Sequence, residues 1–191
     1  MKIVYQGSPG AYSHLAAKKI YPECEFIPYN TFEDCFKHCN ENEEHKTIIP
    51  VENSIAGRVA DIQYLINKYK LQIYAEHFQE IKHNLMILKD NELKNVKSVR
   101  SHSQAISQCQ KLINSNKLEP IIAADTAGSA KYISEKKINS EAAIASELAA
   151  KIYDLKIVKK NIEDNRSNVT RFLIMGKKKS HPEFENKNYI T

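Results

Sequence analysis

The sequence predicts an α/β fold arranged as two lobes, and three observations predict it. Short apolar runs recur after which a polar, hydroxyl-rich turn opens a helix: at Gln6, Val51, Arg100, Ala124 and Ala145. The stretch 71–88 is long and β-rich, with Ile73, Tyr74, Phe78, Ile81, Leu85, Met86, Ile87 and Leu88. One small core rarely needs such a stretch; it suits strands that pass from one lobe into another. Beyond it the strand–turn–helix plan starts again.

Residues 2–6 read as the first strand. It ends in Gly7-Ser8-Pro9-Gly10-Ala11-Tyr12-Ser13, a sharp turn into a helix over 11–20. Free backbone N–H groups at a helix start favour an anion, although an ordinary strand-to-helix turn has the same composition. Gly7 and Gly10 lack the third glycine of a dinucleotide fingerprint. Residues 24–28 form a second strand. Thr31 caps a helix to about residue 42, with Phe32, Cys35, Phe36 and Cys39 on one face.

A third strand, 47–51, stops at Glu52-Asn53-Ser54-Ile55-Ala56-Gly57-Arg58. Polar side chains at a strand's carboxyl end suit a ligand-facing edge. Asn53 and Ser54 would equally cap the helix expected to run to about residue 67. The lobe boundary is placed near 77–82, giving lobe 1 as 1–76 plus 160–176 and lobe 2 as 77–159. In lobe 2, 96–100, 118–124 and 142–145 are strands. They lead into Ser101-His102-Ser103-Gln104, with a helix to about 114, into Asp125-Thr126-Ala127-Gly128, and into Ser146-Glu147.

The last strand, 169–175, starts in Asn168-Val169-Thr170-Arg171-Phe172. An arginine in a buried strand needs a partner, either a structural carboxylate or an anionic ligand. Residues 177–191 carry too little apolar surface to offset the entropy of ordering them, so a linker is expected. Its last residues, Asn188-Tyr189-Ile190-Thr191, turn β-like.

Composition narrows the function. Hydrophobic residues make up 42% of the 191, enough for a core. The mean hydropathy of −0.51, with no apolar run of membrane-spanning length, argues against a membrane protein. Met1-Lys2-Ile3-Val4 enters a strand at once without a signal peptide, so a cytoplasmic protein is expected. Four cysteines form no CxxC pair. Cys35 and Cys39 have a spacing compatible with metal ligands, but no His or Cys cluster completes a site; buried free thiols and no metal are expected. The net charge is +5. Scattered lysines without interleaved aromatics do not suit nucleic acid, whereas a mild positive field is compatible with a small dianion.

Together, Gly7-Ser8-Pro9-Gly10-Ala11-Tyr12-Ser13, Pro50-Val51-Glu52-Asn53-Ser54, Ser101-His102-Ser103-Gln104-Ala105, Asp125-Thr126-Ala127-Gly128 and Asn168-Val169-Thr170-Arg171-Phe172 resemble the ordered motifs of prephenate dehydratases. The resemblance covers residues 1–176. It implies two α/β lobes resembling type II periplasmic binding proteins, with an active site in the cleft between them. It also implies conversion of prephenate to phenylpyruvate without metal or organic cofactor, and a homodimer or larger homo-oligomer. Ser103 stands where the family usually has proline and Ser8 where it often has an acid, which bears on loop geometry. Family members usually continue into an ACT-type domain that binds phenylalanine. The expectation is a catalytic part cut at that border, with a stand-alone dehydratase the alternative, and no inhibition by phenylalanine through a second site.

The resemblance assigns Thr170 to donate a proton or hydrogen bond to the departing hydroxyl. An alcohol is a weak acid, so Glu52, if desolvation raises its pKa, or His102 is a candidate source for a relayed proton. Prephenate has two carboxylates. The pyruvyl one survives the reaction and is safely anchored, while tight pairing of the ring carboxylate would stabilise the ground state. The expected anchors are Arg171 and the backbone around Ala11, Tyr12 and Ser13. Asn53, Ser54, Ser101 and Thr126 provide the polar surroundings, and Phe172, His102, Gln104, Ala127 and Gly128 complete the expected binding residues. Arogenate dehydration and non-catalytic binding of a small anion are the competing readings.

Overall fold

The computed structural model describes residues 1–177; the expected linker and its β-like end fall, from residue 178 on, outside the described residues. In chain order the first elements are β1 (Lys2–Gln6), α1 (Tyr12–Ile20), β2 (Glu25–Tyr29), α2 (Phe32–Glu41), β3 (Lys46–Asn53), β4 (Gly57–Arg58), α3 (Ile62–Tyr69) and β5 (Gln72–Glu80). There follow β6 (Asn84–Leu88), β7 (Ser98–His102), α4 (Ser103–Ser107), α5 (Gln110–Ser115), β8 (Glu119–Ala123), α6 (Thr126–Lys136) and β9 (Glu141–Ala145). The last are α7 (Glu147–Ile152), β10 (Leu155–Lys159) and β11 (Val169–Gly176).

The chain divides into two units. Of the described residues, one comprises Met1–Gly7, Ala16–Glu80 and 169–177; the other comprises Ser8–Leu15 and Ile81–Asn168. The expected changes of lobe at 76/77 and 159/160 thus fall inside β5 and at the end of β10, whereas the units change at 80/81 and 168/169. The reason is pairing: β5 stays hydrogen-bonded to β11 as far as Glu80, opposite Val169. The assignment of Ser8–Leu15 to the second unit has no local signal in the sequence. Gly10 makes it possible, with a φ of +93° and a Cα so close to Ala149 that an added Cβ would lie 2.7 Å from the Ala149 Cα.

In the first unit the sheet order is β2-β1-β3-β11-β5, with β4 pairing β3. β1 is parallel to β2 and β3, and β11 runs antiparallel between β3 and β5. Strand side chains alternate between faces, so Val4, Ile49, Leu173 and Met175 pack with Phe36 and Leu65. Ile3, Tyr5, Ile48 and Phe172 pack on the other face with Ala16 and Ala17 of α1. Thr31 caps α2, its side chain accepting from the Asp34 N–H at 3.1 Å.

The second unit has the order β10-β6-β9-β7-β8, with β7 parallel to β8 and β9 and β6 antiparallel to β9 and β10. Leu85, Ile87, Val99, Ile106 and Ile144 form one core; Met86, Ala127, Ala130, Ala143 and Ala149 form another. Asp125 and Ser146 cap α6 and α7.

Three local expectations change. Asn53 and Ser54 do not cap α3, because Asn53 Oδ1 accepts from the N–H groups of Ile55 (3.0 Å) and Ala56 (2.9 Å), turning the chain into β4. The single helix expected from Ser101 to about 114 is two, broken at Gln108 and Cys109. β10 was not expected, as Lys156 and Lys159 break the short apolar segment Leu155–Lys159. No helix of the described residues is long and apolar enough to cross a membrane.

Candidate functional site

In the first unit the site is built on β11. Cross-strand partners share a face, and Thr170 lies opposite Asn53 of β3 and Gln79 of β5. Thr170 is 8% exposed. Asn53 Nδ2 donates to Thr170 Oγ1 at 2.9 Å and to the Val169 carbonyl at 3.2 Å. The two N–H groups on Oδ1 fix the amide in this orientation. Thr170 Oγ1 is therefore an acceptor toward Asn53, which leaves its own O–H proton for another acceptor. Ser54 extends the ladder: its N–H donates to the Val169 carbonyl and its hydroxyl accepts from the Val169 N–H, at 2.9 and 3.0 Å.

Arg171 points to the opposite face of the strand from Thr170. Its Nε donates to Glu76 Oε2 at 2.8 Å, both side chains being partly buried. Of the two partners expected for this arginine, the structure supplies the carboxylate, so Arg171 ties β11 to β5. Glu52 stands opposite Arg171 in the register and is exposed. It lies on the wrong face of the sheet to pass a proton to Thr170, which stands opposite Asn53. The Phe172 ring is 1% exposed and belongs to the core, not to a ligand surface.

In the second unit Ala11 to Ser13 open α1. The first i→i−4 bond of this turn runs from the Leu15 N–H to the Ala11 carbonyl. The N–H groups of Tyr12, Ser13 and His14 precede it, where a helix has no internal acceptor for them. The Ala11 N–H is taken by the Ser8 carbonyl. Ser13 is 7% exposed. The Tyr12 hydroxyl is 2.9 Å from the Lys82 carbonyl and 2.8 Å from His83 Nδ1, so it is engaged inside the unit.

Ser101 is fully buried and donates its hydroxyl to the Ile144 carbonyl at 2.6 Å, locking β7 to β9. His102 is a turn residue: its Nδ1 accepts from the Gln104 N–H at 3.3 Å at the start of α4. The Gln104 side chain is exposed. Thr126 is half-buried at the head of α6, and Ala127 is buried in the core. The Gly128 N–H is not open to a ligand, since Asp125 Oδ1 takes it at 2.6 Å.

A cluster that sequence reasoning missed joins His83, Gln108, Glu163 and Asn168. Gln108 Oε1 receives His83 Nε2 at 2.9 Å and Asn168 Nδ2 at 2.8 Å, and the His83 backbone N–H donates to Glu163 Oε2 at 2.9 Å. Burial lowers the pKa of His83 below its ordinary value, opposed by the Gln108 bond and the Glu163 charge. Burial likewise pushes the Tyr12 hydroxyl well up, with Cys109 and Glu163 adding to it. The available signal was Lys82-His83-Asn84, three polar residues interrupting the apolar run at 81–88. Among the described residues no cluster of three or more His, Cys, Asp and Glu side chains is placed to hold a metal.

The family profile described as PDT, prephenate dehydratase, matches residues 3–180. An Arabidopsis thaliana protein named arogenate dehydratase/prephenate dehydratase 2, chloroplastic, is 37% identical over 177 residues, 93% of this chain and 46% of its own length. The chain therefore spans about half the length of the plant relatives it matches. Among solved structures, one described as a quorum-quenching acylase superposes with a TM-score of 0.88 at 34% identity, covering 95% of this chain and 66% of its own. A prephenate dehydratase from Staphylococcus aureus superposes with a TM-score of 0.80 at 26% identity, over 94% of this chain and 67% of that one.

Proposed function

The chain belongs to the prephenate dehydratase family, and from that premise we propose that it is a carbon–oxygen lyase converting prephenate to phenylpyruvate, CO2 and water. The observation that carries the reading is the Thr170 hydroxyl, which accepts from Asn53 at 2.9 Å and so has its proton to give. As the ring C–COO⁻ bond breaks, its electron pair enters the ring and expels the hydroxyl, which leaves as water once it gains a proton. Electrons only move within the substrate, so the step as written uses neither a redox cofactor nor a metal.

Thr170 donates to the departing oxygen. Asn53 aligns it and, by donating to Oγ1, stabilises the negative charge that grows there. Arg171, paired with Glu76 on the other face, positions β11 and does not anchor the pyruvyl carboxylate. That anchor is assigned to the N–H groups opening α1, at Tyr12 and Ser13, where a helix start favours an anion. The ring carboxylate, which must lose its charge, is left to neutral groups such as the Thr126 hydroxyl.

Buried thiols at Cys35, Cys39 and Cys109 suit a reducing compartment, and we assign the protein to the cytoplasm. Among the described residues β5 is an edge strand carrying exposed Ile73 and Phe78, a surface that suits a homodimer or larger homo-oligomer. The deciding assay gives the purified protein prephenate and, separately, arogenate. Phenylpyruvate from the first is expected. Phenylalanine from arogenate alone would make it an arogenate dehydratase, and saturable binding without turnover would make it an anion-binding module.

A further inference from the structure

With the Gln108 amide oriented as it stands and His83 neutral, the hydrogen-bond chain Tyr12–His83–Gln108–Asn168 in the second unit has one proton arrangement that satisfies every member. Gln108 Oε1 faces two nitrogens, Asn168 Nδ2 at 2.8 Å and His83 Nε2 at 2.9 Å. A carbonyl oxygen only accepts, so His83 carries a proton on Nε2. In the neutral ring Nδ1 is then a bare acceptor, and the Tyr12 hydroxyl 2.8 Å away supplies its proton. The Lys82 carbonyl, which Tyr12 also approaches at 2.9 Å, keeps the Asn84 Nδ2 donor at 3.2 Å when Tyr12 turns away.

Gln108 sits where the helix after β7 breaks. Its backbone on both sides is held, the N–H donating to the Gln104 carbonyl and the carbonyl accepting the Asp164 N–H at 2.7 Å. With its backbone fixed and Oε1 filled twice, the side chain is left with one hydrogen-bonding function, the two protons of Nε2. Among the described residues the buried side-chain nitrogens and oxygens left without a partner are His77 Nε2 and Gln79 Oε1, so Gln108 Nε2, in a half-buried residue, keeps contact with solvent.

We propose that His83 is a positioning residue, its Nε2–H holding Gln108 so that the Gln108 amide N–H is presented to the substrate as a preset donor. The inference rests on the dehydratase reading above and names two residues beyond it. Held this way, the amide needs no reorganisation when an anionic or carbonyl oxygen arrives. Tyr12 secures the arrangement from behind, since its proton on Nδ1 disfavours the other neutral tautomer. The groups facing the ring are Tyr12, Glu163 on the His83 backbone N–H, and Gln108; Cys109 lies near Tyr12, and Asp164 near Cys109. The low His83 pKa keeps the ring neutral near pH 7. Protonation would keep Nε2–H in place, so the hold on Gln108 survives it.

The test compares His83→Gln with His83→Asn in the full chain. A glutamine amide nitrogen reaches the place of Nε2 and still donates to Gln108; an asparagine amide reaches only the place of Nδ1. His83→Gln is expected to keep kcat within about threefold, and His83→Asn to lose about ten- to a hundredfold with a similar unfolding midpoint. Histidine 15N NMR of the wild type is expected to show the neutral Nε2–H tautomer. Equal kcat in the two variants, losses that only follow the unfolding midpoint, or an Nδ1–H tautomer would each overturn the proposal. A wild type that turns over neither prephenate nor arogenate overturns the dehydratase reading first, and the substrate role of Gln108 with it. The tautomer measurement still reads the His83 geometry separately.

Discussion

Asn53→Asp tests the direction of the proton on Thr170 with almost no change in shape. Asn53 Oδ1 holds the N–H groups of Ile55 and Ala56 at 3.0 and 2.9 Å, and a carboxylate oxygen does the same, so the turn into β4 is preserved. The other oxygen replaces Nδ2 and meets Thr170 Oγ1 at 2.9 Å. Two acceptors then face each other, and the only proton available to them is that of Thr170. The hydroxyl must reverse, donating to the introduced carboxylate instead of to the departing oxygen. A positioned proton donor contributes about 10²- to 10⁴-fold, or about 2.7–5.4 kcal/mol of barrier. A fall in kcat of that order is expected with saturating prephenate, followed by phenylpyruvate absorbance. The folding cost stays near that of one hydrogen bond, about 1 kcal/mol in a urea titration. Saturation separates the effect from charge repulsion against the dianion, which raises KM. Because the substitution acts through Thr170, Asn53→Asp combined with Thr170→Ala should be no worse than Thr170→Ala alone. Multiplying losses in the double variant, or full kcat in Asn53→Asp, would refute the reasoning.

Thr170→Ala is expected to lose kcat on the same scale while Thr170→Ser keeps appreciable activity; equal losses would assign the effect to packing of the methyl. In a double-mutant cycle on stability, Arg171→Ala and Glu76→Ala should be non-additive by about 1 kcal/mol, as for a partly exposed pair, and additivity would dissolve the ion pair. Gly10→Ala meets Ala149 at 2.7 Å as well as a positive φ, whereas Gly57→Ala, at φ +80° in open space, meets only backbone strain. Chemical denaturation should therefore show Gly10→Ala costing more than the ~1 kcal/mol expected for Gly57→Ala. His38, His77 and His83 are each held below their ordinary pKa of 6.5, mainly by burial. The unfolded chain takes up their protons first, so their share of stability is complete above about pH 6.5 and falls as pH drops below it. Urea midpoints from about pH 7 to about pH 5 should decline, and His83→Gln should flatten the decline; an unchanged slope would show that His83 does not contribute.

The elements were legible because local chemistry specifies them. Thr31 announces a cap that the structure contains, Asp125 and Ser146 mark helix starts that it likewise contains, and the apolar runs of β1, β3, β9 and β11 are long enough to read as strands. Membership of the family was legible for the same reason, since its motifs are contiguous stretches. Lys156 and Lys159 hid β10, which is a strand because β6 offers it an antiparallel partner, and pairing is not written into either segment alone. The break at Gln108 and Cys109 was equally invisible, as neither residue is a helix breaker.

Which side chain serves which purpose was decided by the tertiary structure. Thr170 and Arg171 are neighbours in sequence, yet a strand sends them to opposite faces, one to Asn53 and the other to Glu76. Glu52 pairs with Arg171 on the face away from Thr170, and the Phe172 ring is buried in the core. Gln108 gained its place from His83 and Asn168, far away in sequence. The sequence by itself determined most of the α/β elements, the Thr31 cap, the motifs and the presence of a hydroxyl and an arginine on one strand. Register and long-range hydrogen bonds decided the rest, because a side chain's chemistry follows from what it faces, and what it faces is settled only when distant strands pair.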